Sequence, residues 1–123
     1  VENNRYDTHF LEHTLSAEYD IAHGAGLSVI MPAWMHWQKK NLPERFEQFA
    51  KNMFNVSGAD AGIEALKQWY KKIVAPVTLI ECNIPEEDIP MLVEKLLAVA
   101  EMWGATSIYT REMITTVLEN AKK

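Results

Sequence analysis

Residues 7–32 read DTHFLEHTLSAEYDIAHGAGLSVIMP, and this one segment holds His9, His13 and His23. Phe10 with Thr14 and Leu11 with Leu15 recur at the i, i+4 spacing of a helix, so residues 5–19 are expected to be helical. Gly24 and Gly26 interrupt that pattern just after His23, and residues 27–38 then read as a second, nearly all-apolar helix carrying Pro32. Proline lacks the N–H that a helix uses and its ring crowds the preceding turn, so a buried helix kinked near Pro32 is expected.

Helical spacing continues outward from this segment. Pro43 suits the first turn of a third helix, and Phe46, Phe49, Ala50, Met53 and Phe54 follow at i, i+3, i+4, i+7 and i+8. Asp60 is placed to cap a fourth helix, whose core stripe reads Ile63, Leu66, Tyr70, Ile73 and Val74 up to Pro76. Residues 77–85 read as an ordered connector. Glu86, Glu87 and Asp88 load the positive end of a fifth helix, with Ile89, Leu92, Val93, Leu96, Ala100 and Trp103 inside and Gly104 ending it. Thr110 caps a last helix through Met113, Ile114, Val117, Leu118 and Ala121. The chain is therefore expected to be all-α, a bundle of about six helices in which short loops favour antiparallel neighbours. Trp34, Trp37, Trp69 and Trp103 sit on helical stripes and are expected to pack in the core.

Composition limits the partners. With 123 residues, 48% of them hydrophobic, the chain can bury a core of its own and form one globular unit over residues 1–123. A net charge of -5, with no Lys/Arg cluster larger than a pair, argues against nucleic acid or an anionic membrane as partner. Cys82 is the only cysteine, which rules out an intrachain disulfide or a CxxC metal knuckle and fits a reducing, cytoplasmic location. No basic, apolar leader opens the chain and no 18-residue apolar run occurs, so a membrane span is not expected. The chain opens on Val1 rather than methionine, with the first histidine nine residues in, and is expected to be a piece of a longer one.

Histidine is the commonest metal ligand and titrates nearest neutral pH, so three in fifteen residues point to a metal or proton-transfer site. His9 and His13 share one helical face and can clamp an ion. Phe10 and Leu11 fill the gap where a zinc peptidase helix would place its glutamate, which disfavours that class. His23 lies fourteen residues from His9, and unbroken helix would separate them by about 21 Å. If the first helix ends near Asp20, a turn permitted by Gly24 and Gly26 can return His23 towards His9, with an ion between the two helices. Asp7, Glu12, Glu18 and Asp20 are either partners that orient these imidazoles or, as expected here, a solvated helix face. His36 stands outside the pattern.

The run HxxxHxLSAxYDIAHGxGLSxxxPxWMxW, from His9 to Trp37, resembles the C-terminal helical domain of iron-containing (group III) alcohol dehydrogenases, particularly their NAD(P)H-dependent butanol dehydrogenase branch. The resemblance extends through PERFEQFAKNMF and GIEALKQWYKKI to the chain's end. It implies a dehydroquinate synthase-like helical domain following an N-terminal cofactor-binding domain that this chain is expected to lack. It also implies a divalent ion, Fe²⁺ or Zn²⁺, held by His9 and His23 together with an aspartate and a histidine of an earlier DxxxH. His13 then matches an active-site histidine beside the substrate and NAD(H) or NADP(H), suited to relaying a proton. The implied substrate is a small alcohol or aldehyde whose oxygen the ion polarises during hydride transfer, the implied partner is the missing N-terminal domain, and the implied assembly is a homo-oligomer. The fragment alone is expected to be inactive. Asn83 stands where the resemblance would place a glycine. Two other expectations remain beside this one: a glycerol dehydrogenase-like or dehydroquinate synthase-like relative, or a non-enzymatic helical module in which the histidines are incidental.

Overall fold

The structure, a computed structural model, describes residues 7–122. Among them six α-helices follow one another: α1 Asp7–Tyr19, α2 His23–Gln38, α3 Pro43–Phe54, α4 Ala59–Lys72, α5 Ile89–Met102 and α6 Arg111–Ala121. Two short 3-10 turns, Ile80–Cys82 and Glu86–Asp88, lie between α4 and α5, and the described residues contain no strand. The all-α bundle expected from apolar spacing is therefore the observed architecture. The first two residues of the expected first helix lie outside the described residues.

α2 is the central element. It packs on α1, α4 and α6, while α3 pairs with α4 and α5 with α6. Its apolar residues Val29, Ile30 and Ala33 join Leu11 and Leu15 of α1, Leu92 and Leu96 of α5, and Ile114 and Leu118 of α6 in one core. Burying such side chains stabilises the fold by about 1.5–3 kcal/mol each. A smaller cluster of Met35, Phe46 and Ile63 sits under α3 and α4. Those two helices approach closely because Gly62 faces Ala50: a Cβ at position 62 would lie 2.9 Å from the Ala50 Cα. Pro32 lies inside α2 and is buried, and the helix continues beyond it to Gln38.

The connector between α4 and α5 is tied at both ends. Glu81 Oε1 accepts from the backbone N–H of Val77 (2.8 Å) and of Thr78 (3.0 Å), and the Leu79 N–H donates to the Ala121 carbonyl of α6 (2.9 Å). Asn83, at φ 63°, adopts the left-handed conformation that glycine takes most easily and asparagine more readily than other residues.

Several local expectations are corrected. Asp60 does not cap α4: the residue before that helix is Gly58, at φ 98°, and Asp60 instead forms an ion pair with Lys39. Ile73 and Val74 lie past the end of α4 and face solvent, Val74 being 90% exposed, because the helix stops before the proline. Trp34 and Trp37 pack half-buried against the main core, but Trp69 is 48% exposed and Trp103 62% exposed. Trp103 sits just past the end of α5, where it meets Phe10 edge-on rather than entering the core.

Candidate metal centre

The polypeptide reverses direction between α1 and α2. The Asp20 N–H closes the last turn on the Ser16 carbonyl (2.9 Å), and Asp20 itself takes φ 55°. Asp20 makes the reversal that was expected of Gly24 and Gly26; both glycines lie within α2, which begins at His23. Aspartate tolerates this left-handed conformation better than most side chains. The reversal sets His23, on the first residue of α2, against the histidine face of α1.

All three imidazoles of the segment come together on an open face. The nearest ring nitrogens of His9 and His23, Nδ1 and Nε2, are 3.1 Å apart, and their rings stack at 5.1 Å between centroids. His13 stands 5.5 Å from His23 by ring centroid. Two metal–nitrogen bonds of about 2.1 Å spanning the His9–His23 gap would meet at roughly 95°, an angle open to an ion of flexible coordination. The described residues contain no group of three or more His, Cys, Asp or Glu side chains arranged to hold a metal. Among the described residues the pair would supply two imidazole donors to such an ion.

Sequence reasoning misplaced two of the four carboxylates, Asp7 and Glu12, and Glu12 is the one beside the imidazoles. It is 0% exposed, not part of a solvated face. One carboxylate oxygen accepts from Ser16 Oγ one turn further along α1, and the other faces His23 Nδ1. Gly26, one turn after His23 on the same face of α2, leaves space for it: a Cβ there would fall 2.6 Å from the Glu12 carboxyl carbon. On a helical wheel Glu12 lies between the Leu15 side and the His9 side of α1, which marks it as a boundary position. The other three carboxylates have different surroundings. Buried Asp7 accepts from Trp34 Nε1 (3.0 Å), Glu18 pairs with Lys95 (3.3 Å), and Asp20 lies exposed in the turn.

His13 borders a cleft of about 510 Å³ between α1 and α5, lined also by Phe10, Ala17, Ala98, Val99 and Trp103. His36 lies near the far end of α2, about 20 Å along the axis from His23, beside Lys39 and Asp60. Burial, and then the neighbouring Lys39 ammonium, hold its imidazole below the usual histidine range. It takes no part in the cluster.

No helix among the described residues is long and apolar enough to cross a membrane. Comparison with known proteins places the chain in a family. The NADH-dependent butanol dehydrogenase A of Thermotoga maritima superposes on 96% of this chain with a TM-score of 0.88 and 40% sequence identity, the match covering 33% of that protein. The aldehyde reductase YqhD of Escherichia coli shares the fold at a TM-score of 0.82 and 22% identity, over 95% of this chain and 33% of its own. The probable NADH-dependent butanol dehydrogenase 1 of Bacillus subtilis is 32% identical over 99 residues, 74% of this chain. The matched region is 26% of that relative's length, so this chain spans about a quarter of it. Residues 3–122 match the Fe-containing alcohol dehydrogenase family, C-terminal, and the chain belongs to that family.

Proposed function

We propose that this chain is the C-terminal helical domain of an NAD(P)H-dependent, metal-containing alcohol dehydrogenase or aldehyde reductase, and that His9 and His23 are its two metal ligands. The observation that carries this reading is the 3.1 Å approach of two imidazole nitrogens from different helices, brought about by the turn at Asp20. A divalent ion held there, Fe²⁺ or Zn²⁺, supplies Lewis acidity towards the oxygen of an alcohol or aldehyde while hydride passes to or from a nicotinamide. His9 from α1 and His23 from α2 bind from two independently anchored helices, which fixes the angle between the donors before any ion arrives.

His13 has a different part. It sits one turn beyond His9, its ring centroid 5.5 Å from that of His23, and it opens onto the apolar cleft. An imidazole so placed can hold or pass the proton that accompanies hydride transfer. The cleft's lining of Phe10, Val99 and Trp103 suits an alkyl chain, and the Glu18–Lys95 pair lines it as well. The complementary ligands and the nicotinamide site belong to the N-terminal domain of the whole enzyme, so the isolated chain is inactive in this reading.

The test is metal analysis and kinetics of the full-length protein. His9→Ala and His23→Ala are expected to lose the metal, and His13→Ala to keep it while turnover falls. Retained metal in His23→Ala together with loss in His13→Ala would overturn the assignment in favour of a clamp by His9 and His13 on one helix.

A further inference from the structure

A carboxylate with no exposed surface, placed against one imidazole of an otherwise open cluster, needs an explanation. Burying it costs several kcal/mol unless its oxygens are satisfied. Both are: Ser16 donates to one, and the other faces His23 Nδ1. The arrangement also occupies space that only a glycine at position 26 leaves free. Three residues from two helices are thus committed to holding one side chain, although an apolar residue in its place would pack without that cost.

We infer that Glu12 is a positioning residue for His23. A carboxylate can only accept, so His23 Nδ1 must carry the proton, and Nε2 is left with its lone pair. Nε2 is the atom that stands 3.1 Å from His9 Nδ1, on the side where the pair converges. Glu12 therefore selects the ligating tautomer and fixes the ring plane, while Ser16 fixes Glu12. The two oxygens of Glu12 are both taken, by Ser16 and His23. The inference rests on His23 being a metal ligand. It adds a residue that touches neither ion nor substrate and acts only through the imidazole.

The experiment uses the metal-free full-length enzyme and Zn²⁺, with the dissociation constant read by competition against a chromophoric chelator. Outer partners of ligating histidines change metal affinity by about 10–100-fold when removed. Glu12→Ala is expected to weaken Zn²⁺ binding by about tenfold or more. Glu12→Gln, whose amide oxygen can accept the same bond, is expected to recover most of that loss. Affinity within twofold of wild type in Glu12→Ala, or no recovery in Glu12→Gln, overturns the inference. The control separates it from the reading beneath it: if His23→Ala binds Zn²⁺ as wild type does, His23 is not a ligand and both fail. If His23→Ala loses the metal while Glu12→Ala does not, only the role of Glu12 fails. Should the Glu12 variants not fold, ¹⁵N-histidine spectra of the wild-type metal-free protein decide. A proton on His23 Nδ1 supports the inference and a proton on Nε2 overturns it.

Discussion

Replacing Gly26 by alanine reverses the usual sign of that substitution. Inside an exposed helix the change stabilises by about 1 kcal/mol, because alanine loses less backbone freedom than glycine. At position 26 the new methyl would fall inside the van der Waals shell of the Glu12 carboxylate, and that side chain has no exposed surface to move into. Either α1 and α2 separate, at about 1–3 kcal/mol for an overpacked contact, or Glu12 swings out and gives up its bonds. Hydrogen bonds to charged groups contribute about 1.5–3 kcal/mol each, and the half-exposed His23 and partly buried Ser16 place this pair at the lower end. Setting roughly 3 kcal/mol of loss against roughly 1 of helix gain leaves a net destabilisation of about 2 kcal/mol. For a domain of this size that lowers the thermal midpoint by about 8 °C. Gly24 provides the internal control, since a Cβ there meets nothing within 4 Å: Gly24→Ala should hold or raise the midpoint. The assay is thermal and urea unfolding of wild type, both single variants and the Glu12→Ala/Gly26→Ala double variant. In the double variant the clash is gone, so the two changes should be strongly non-additive. A neutral or stabilising Gly26→Ala in the wild-type background would refute the close packing of Glu12 beneath α2.

Val74, β-branched and at φ 61°, occupies a conformation that costs about 1 kcal/mol or more while burying almost nothing, so Val74→Gly should raise the urea midpoint; a fall would contradict the strain. Thr110→Ala removes the hydroxyl that accepts from the Met113 N–H at the start of α6 and should cost about 1 kcal/mol, read from the same denaturation curves. Glu81 is held below the usual carboxylate range by the Val77 N–H first and then by Thr78. A depressed carboxylate adds stability that is present above its ordinary range and lost as pH falls through its folded value. Glu81→Gln should therefore lower the urea midpoint at pH 7, with a deficit that shrinks as pH falls below the ordinary carboxylate range; a deficit independent of pH would show that the connector is not held by the ionised group.

The comparison of α4 with α5 shows how far apolar spacing reaches. In α5 the stripe Ile89, Leu92, Val93, Leu96 and Ala100 is buried as its period requires. In α4 the same rule carries Ile63 into the core but overruns at Ile73 and Val74, because the helix ends before the proline and those side chains lose the helical register. Capping shows the same division. Thr110 caps α6 as its position predicts, whereas Asp60 lies two residues past the cap position of α4 and pairs with Lys39 across the α2–α4 contact. Pairing across helices is invisible to a rule that counts along one of them.

The histidine segment follows the same logic. The separation of His9 and His23 along the chain already required a reversal before the two could meet, since helical rise alone would keep them about 21 Å apart. The residues by themselves therefore determined the six helices, the all-α class and the need for a turn between α1 and α2. They did not determine that Asp20 makes the turn, which of three clustered imidazoles would bring their nitrogens together, or that Glu12 would be buried. Those outcomes depend on the distance between two helices at their point of contact. Glu12 sits at the margin of α1's apolar stripe and can face solvent or protein. Only the approach of α2, made close by the missing side chain of Gly26, encloses its carboxylate and turns it towards His23.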